Sequence, residues 1–457
     1  MALKHEQADG LVSLARGELD RRIFSDPAIF EQEMVEIFGR AWLFLCHESQ
    51  ISKPGDFFES VMGRDNVLVV RQKDGGIKGL LNTCPHRGNA VCRAEEGNVR
   101  NFLCTYHGWS FGIDGRLQGV PGHKSFYGST LDKAAHGMRE IAQLAVYGGF
   151  VFGTLDREAP PLEEYLGPTG RLGIRLLAAR GDLEVVPGIQ KFVIDCNWKF
   201  AVDNVFDWYH PQVTHASAFA SGVLPSQRKA DAPAQLIDMA GVRTEGGDDI
   251  NLPLTEITGT SFDQIVVLGE YGHAIGGPHA RGRGSIKTPS DIQWRSSPSA
   301  LEALGPVGID VDGHPSIFPT TWLTTTLQLS LRIPRGPQQT EIWWFTLVDR
   351  NATPEARQRQ IKRGLMLFGP AGLLEQDDGE NWAQSTIQSA GLASRQIPQL
   401  LKMDLGQGRV IREHGLARIE GSTSEHGQLW TYHAWSQWMR GLSWEELRAA
   451  TSPGDIL

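Results

Sequence analysis

Cysteine is scarce in this sequence, five among 457 residues, and an odd total does not suit a disulfide framework. Long apolar runs are missing too. The most apolar stretch, "IAQLAVYGGFVFG" at 141–153, is too short and too rich in glycine to span a bilayer. Basic residues are in deficit, leaving a net charge of −9, which argues against nucleic acid and anionic membranes as partners. The opening "MALKHEQADG" has no apolar segment, so no secretory signal and a cytoplasmic setting are expected. No internal repeat or low-complexity tract is present. No Gly-x-Gly-x-x-Gly follows a strand pattern, so oxidation of a nicotinamide cofactor is expected on a separate protein.

What is present reads as a globular protein of ordinary composition, 40% hydrophobic and 21% charged, long enough for two domains. "SDPAIFEQEMVEIFGRAW" reads as a helix capped by Ser25 or Asp26, with Pro27 in its first turn. From about 50 to 155 short apolar runs alternate with glycine. Hairpins are expected at Asp74-Gly75-Gly76 and at Asp114-Gly115. "DREAPPLEEYLG", 156–167, has the proline and charge of a linker. Leu327, Leu329, Leu331 and Ile333 alternate along a strand that turns at Pro334–Gly336 and resumes, a hairpin with one buried face. A helix follows Thr353, and Ser443 with Glu446 forms a capping box near the end. The region from about 242 to 290 lacks periodicity and reads as a lid or entrance loop.

Three of the five cysteines fall in "CPHRGNAVCRAEEGNVRNFLCTYHGW", residues 84–109, beside two histidines. Cys84-Pro-His86 puts a thiolate and an imidazole on one tight turn. Cys104-Thr-Tyr-His107 does the same, after a gap of seventeen residues. Gly88 and Gly108 follow the pairs and let the backbone approach a sulfur closely. Two such turns supply four ligands. Two fillings fit that count equally: a tetrahedral zinc ion, or a [2Fe–2S] cluster with two cysteines on one iron and two histidines on the other. Cys92 has no histidine at ligand spacing and reads as a small packed side chain, as do Cys46 and Cys196.

A second candidate lies in "NWKFAVDNVFDWYHPQVTH", 197–215, where His210 and His215 form H-x4-H. On an ideal helix that pair is about 140° apart. Pro211 breaks or restarts the helix between them, which can turn both imidazoles toward one ion. With fourteen histidines in the chain, the spacing alone is a weak signal. A carboxylate as third ligand would complete the arrangement of non-haem Fe(II) oxygenases, which leaves coordination positions open for O2.

The motifs "CPHRG" and "CTYHGW" resemble the Rieske family. Together with "NWK", D-x-Y-H-x4-H and "FGPAGLLEQDDGENW" at 368–382, they resemble the catalytic alpha subunit of the Rieske non-haem iron aromatic-ring-hydroxylating dioxygenases, over most of the chain. The resemblance implies one [2Fe–2S] cluster on Cys84, His86, Cys104 and His107, and one mononuclear Fe(II) on His210, His215 and Asp378. Asp377 is the competitor for the third place, but adjacent side chains point in different directions, so one of the two binds. Asp207 matches the family's bridging aspartate, which accepts hydrogen bonds from His210 and from the partner subunit's His107, and this implies a trimer. The segment between "NWK" and D-x-Y-H is one residue shorter here than in the naphthalene and biphenyl enzymes, which affects the placing of Asp203 and Asn204. Asn204, Phe368 and Leu374 match substrate-pocket positions.

The implied fold is α+β: an N-terminal helical segment, 1–38, packing on the catalytic domain; a small all-β Rieske domain, 39–160; and a catalytic domain, 161–457, with an antiparallel sheet flanked by helices in the helix-grip manner. The implied activity is that of a terminal oxygenase inserting both atoms of O2 into an aromatic ring by cis-dihydroxylation. Electrons would come from a ferredoxin, an NADH-dependent reductase or both. A small beta subunit is expected, giving α3β3, or α3 alone. The competing readings are a Rieske monooxygenase or demethylase acting on an aromatic or aryl-acid substrate, and a zinc-stabilised binding protein without redox chemistry.

Overall fold

The computed structural model describes residues 10–220, 263–280 and 293–457, which form two compact units. The smaller covers Glu31–Tyr165 with Leu183–Val185. The larger covers the residues up to Phe30, Leu166–Asp182 and Val186–Leu457.

The smaller unit is built from sheets. Val67 to Val70 are buried without alternation, so the strand Asp65–Arg71 is central, between Ile77–Leu81 and Asp56–Met62, with Glu96–Asn98 at the edge. The expected turn after it forms at Gly75, whose φ of 87° favours a residue without Cβ. The second expected hairpin pairs Ser110–Gly112 with Leu117–Gly119 around Gly115, and Asn101–Leu103 adds a third strand. A third sheet joins Gln143–Tyr147, Phe150–Thr154 and Leu43–His47. Phe57, Leu68, Phe102 and Phe111 form a core that includes Cys84 and Cys104.

The N-terminal helix is Pro27–Glu36, and of the two cap candidates Asp26 does the work: its Oδ1 accepts from the Ala28 N–H at 2.8 Å. Ser25 instead donates to the Ser389 carbonyl at 3.2 Å. The linker expectation holds only in part. Residues from Leu162 onward are helical, through Ala178 with a break at Gly167. Leu162, Tyr165 and Leu166 recur at helical spacing and are buried, a periodicity that Pro160, Pro161 and the acidic residues obscure.

The larger unit is organised by an antiparallel sheet. Gln190–Ile194 pairs with Gln339–Asp349, and Gln328–Gly336, Thr321–Thr324, His314–Ile317, Ala274–Pro278, Gln264–Leu268, Leu416–Gly421 and Ile411–Glu413 follow in order. Helices Trp198–Asp203, Pro354–Leu367 and His426–Trp438 pack on it, so the α+β class is as expected. Three expectations are corrected. Residues 264–278, placed in a lid or loop by their composition, are two interior strands; the rest of that region lies outside the described residues, apart from its flanks. The hairpin after Leu327 turns at Pro337-Gln338 rather than at Pro334–Gly336, because Gly336 still pairs with Gln339. Nor does that hairpin bury one face alone. Gln328, Ser330 and Arg332 are all 0% exposed, because helix Leu373–Ala390 and its neighbours cover the polar side as well. Thr353 caps Pro354–Leu367 by accepting from the Ala356 N–H, and Ser443 and Glu446 form the expected capping box.

Two candidate metal centres

Cys84 and Cys104 sit at the start of two loops with the same backbone design. In each, the glycine four residues on donates its N–H to the cysteine carbonyl at 2.9 Å, Gly88 to Cys84 and Gly108 to Cys104. Both glycines have positive φ, 72° and 73°. The loops bring the imidazoles of His86 and His107 to 4.4 Å between centroids. Trp109 stacks on His86 with planes 3° apart, and Tyr106 packs on His107. Burial pushes the Cys84 thiol up. Burial opposes ionisation of Cys104 too, but the Tyr106 N–H, the Asn89 amide and the Cys84 thiol outweigh it and lower that thiol. The Asn89 amide donates to Cys104 Sγ at 3.6 Å. These are donors that suit a metal-bound thiolate. His86 Nδ1 is buried without a hydrogen-bond partner, as suits a nitrogen reserved for a metal.

Cys92 stands outside this arrangement, half-buried against the core. Cys46 and Cys196 are buried, and burial raises both thiols, Cys196 to about 12, so they stay protonated. Cys104→Ser is expected to remove the visible absorption of a bound cluster, whereas Cys92→Ser leaves it unchanged. An absorption spectrum of the two variants decides; loss of colour in Cys92→Ser would contradict the ligand set.

In the larger unit Pro211 starts a one-turn helix, Pro211–Thr214, with His210 just before it and His215 just after. The proline therefore restarts the chain rather than kinking a longer helix, and the two rings meet at 5.0 Å and 77°. Their Nε2 atoms are 3.2 Å apart, and each lies 3.3 Å from Asp378 Oδ1. Asp378 comes from the long helix Leu373–Ala390 and is 3% exposed, yet its Oδ1 has no hydrogen-bond partner. Metal bonds of about 2.1 Å hold neighbouring ligand atoms about 3 Å apart. The three atoms fit one ion, and two histidines with one carboxylate suit iron.

Each imidazole also has a carboxylate at its other nitrogen. Asp207 Oδ1 lies 3.5 Å from His210 Nδ1 and accepts the N–H groups of Tyr209 and His210. Asp377 Oδ2 lies 3.5 Å from His215 Nδ1 and accepts from Ser217 Oγ at 3.2 Å. Asp377 thus faces the outer side of the triad, a place that its position beside Asp378 in the chain does not reveal. Burial lowers the His210 imidazole, but Asp207 and Asp378 more than reverse this and lift it to about 10. Burial works against Asp207, but His210 and the two backbone N–H groups hold its carboxyl below the ordinary range.

The pocket candidates lie on different elements of the larger unit. Phe368 stacks on Trp344 at 4.7 Å and meets Trp322 edge-on at 5.3 Å. Leu374 is 8% exposed, one helical turn before Asp378. Asn204 is half-buried and caps helix Trp198–Asp203 through its N–H.

Asp203, beside it, is a residue whose state the sequence did not reveal. Burial pushes its carboxyl up to about 8. The Tyr432 hydroxyl, 2.6 Å from Oδ2, and His210 oppose this, while Asp207 and Glu425 add to it. Between the ordinary aspartate value and about 8 the folded state holds a proton that the unfolded state has lost. Stability therefore falls as pH rises through that window, by up to about 1.4 kcal/mol per pH unit. Asp203→Asn is expected to flatten the fall in urea midpoint between about pH 5 and 8; an unchanged slope would mean that Asp203 is ionised in the fold.

Comparison with known proteins agrees with both centres. Residues 41–143 match the Rieske [2Fe-2S] domain, and residues 178–439 match the ring hydroxylating alpha subunit (catalytic domain). The biphenyl dioxygenase subunit alpha of Paraburkholderia xenovorans (strain LB400) is 34% identical, over 97% of this chain and 95% of that one. The large oxygenase component of the naphthalene 1,2-dioxygenase system of Pseudomonas putida is 32% identical, over 94% and 93%. A crystal structure of a naphthalene 1,2-dioxygenase mutant bound to phenanthrene superposes with a TM-score of 0.82 at 27% identity, covering 98% of both chains. The chain belongs to the alpha subunits of the aromatic-ring-hydroxylating dioxygenases, and it carries a Rieske [2Fe–2S] cluster and a mononuclear iron. Of the two fillings open for the first centre, the cluster is therefore the right one, and the zinc-stabilised reading falls away.

Proposed function

We propose that Cys84, His86, Cys104 and His107 hold the cluster, that His210, His215 and Asp378 hold the iron, and that Asp207 joins the two centres across a subunit boundary. The convergence of two Nε2 atoms and one carboxylate oxygen within 3.3 Å of one another carries this reading. When bound, the cluster supplies single electrons and the iron activates O2 for insertion into the ring. The remaining work falls to the chain. Asp378 contributes the one anionic donor. Asp207 and Asp377 face the Nδ1 atoms and so fix the orientation of both imidazoles, with Nε2 turned to the metal. Asp207 is about one-third exposed, its side chain at 34%, so it remains open to the partner subunit's His107. Phe368 and Leu374 offer an apolar wall that orients a flat ring and excludes water, and Asn204 adds a polar edge.

The substrate on this reading is an apolar aromatic compound, in keeping with the biphenyl and naphthalene named for the relatives. The relatives are named as a subunit or as the large component of a system, which supports a small beta subunit, in α3β3 or α3 assembly, and a ferredoxin or reductase as electron source. Among the described residues no helix is long and apolar enough to cross a membrane, and no cysteine there is in a disulfide. Free thiols fit the reducing cytoplasm. On this reading the Rieske domain is 39–160 and the catalytic domain 161–457 with the N-terminal segment 1–38; the compact units divide at Phe30/Glu31 and Tyr165/Leu166 instead, so residues 31–38 and 161–165 go with the smaller unit.

Two inactive variants test the electron path. His107→Ala lacks a cluster ligand and Asp378→Asn lacks an iron ligand. Co-expressed in one cell, they are expected to form mixed assemblies that recover part of the activity, because a sound cluster then faces a sound iron in the next subunit. Mixed assemblies that carry both metals yet stay inactive would place the path within one chain.

A further inference from the structure

The polar side of strand Gln328–Gly336 carries a buried cation that the catalytic reading leaves unused. Arg332 and Glu375 are both 0% exposed, and Arg332 Nη1 donates to Glu375 Oε1 at 2.7 Å. Three indoles surround the guanidinium, with Trp322 at 4.6 Å and Trp344 and Trp382 at 5.3 Å. Trp322 and Trp344 belong to the strands paired on either side of Arg332. Glu375 and Trp382 belong to the long helix, two turns apart on its buried face. Asp378 lies between them on that face, three residues after Glu375 and four before Trp382. Arg332 therefore holds the helix one turn before and one turn after the third ligand.

Stability does not account for such a pair. Taking two charges out of water is costly, and well-packed apolar residues often serve a core as well or better. Arg332 even leaves Nε and Nη2 buried without a hydrogen-bond partner. Anion recognition does not account for it either, since Glu375 already neutralises the guanidinium. What the pair adds is direction. A charged hydrogen bond of fixed length, with a ring contact two turns along, stops the helix from sliding or rotating, whereas apolar contacts tolerate both. A metal site needs its ligands held within about 0.5 Å.

We propose that Arg332 is a positioning residue for the iron site, which sets Asp378 Oδ1 against the two histidine Nε2 atoms by clamping Glu375 and Trp382. This rests on the reading of Asp378 as an iron ligand.

The test is Fe(II) titration of the iron-depleted full chain, alongside thermal unfolding. In the double variant Arg332→Met/Glu375→Met no charge is stranded, and the melting temperature is expected to stay near that of the parent. Its Fe(II) Kd is expected to rise by about tenfold or more. An unchanged Kd at unchanged stability would overturn the proposal and leave the pair a packing feature. Should the double variant not fold, Arg332→Lys decides: it keeps the charge opposite Glu375 but loses the planar fork and its stacking on the indoles, so a weakened Kd with intact melting supports the clamp, and an unchanged Kd overturns it. Asp378→Asn runs in the same titration. If it binds Fe(II) as the parent does, the ligand assignment has failed, which is a separate result from failure of the clamp.

Discussion

Asp378→Asn is expected to abolish ring hydroxylation while the cluster's colour persists. The substitution is nearly isosteric at a site only 3% exposed, so the helix keeps its packing. What is lost is the single negative charge among three donor atoms that sit 3.2–3.3 Å apart. A neutral amide is a poor ligand for a hard cation, and the mononuclear iron should leave on dialysis. Turnover is expected to fall by more than about 100-fold, since even changes one shell further out cost 10–100-fold. Metal analysis should find the iron content reduced by the one mononuclear ion, with the two cluster irons retained. Asp377→Asn is the control. Its carboxylate reaches only the outer nitrogen of His215, at 3.5 Å, so a loss of about tenfold is expected with iron retained. Equal losses in the two variants would contradict the assignment of Asp378 over its neighbour.

Asp207→Asn is the second large effect, and it differs in kind. The residue touches no reacting atom. It accepts two backbone N–H groups and lies 3.5 Å from His210 Nδ1, and those neighbours keep it ionised. The amide keeps the size and the Oδ1 acceptor that faces His210, but it loses the charge and turns the other oxygen into a donor, which on the proposed path opposes the N–H of the partner subunit's His107. Both metals should remain bound. Turnover is expected to drop by about 100-fold, with the step from cluster to iron slowed. Stopped-flow absorbance reads that step directly. In the parent, the reduced cluster is expected to reoxidise within a turnover once O2 and substrate are added; in the variant it should stay reduced far longer. Reoxidation at the parent's rate would mean that electrons bypass Asp207.

The metal centres were legible in the sequence because short spacings on tight turns dictate geometry locally. C-x-H and C-x-x-H each put a thiol and an imidazole, the proposed ligands, on one loop, and the structure adds that Gly88 and Gly108 close the two loops in the same way. His210 and His215 were legible for the same reason, although Pro211 acts by starting a one-turn helix. What the sequence hid depends on contacts between distant segments. Asp377 and Asp378 are neighbours in sequence, and only the packing of their helix shows which carboxylate faces Nε2 and which Nδ1. Arg332 was hidden more deeply. Its strand alternates apolar and polar residues, a pattern that ordinarily means one dry face and one wet face. Here the polar face is dry as well, because a helix bearing Glu375 and Trp382 covers it. The interior strands around Ile265 and Ile275 were hidden by the glycines and histidines near them, which read as loop composition.

The most direct test is the origin of the oxygen atoms in the product. The oxygenase, reconstituted with a ferredoxin and reductase, is given biphenyl or naphthalene under a mixture of 16O2 and 18O2. The expected product is a cis-dihydrodiol carrying two heavy oxygens or none, because both atoms come from one O2 molecule. Diol carrying a single label, or a monohydroxylated product, would contradict insertion of both atoms by this site.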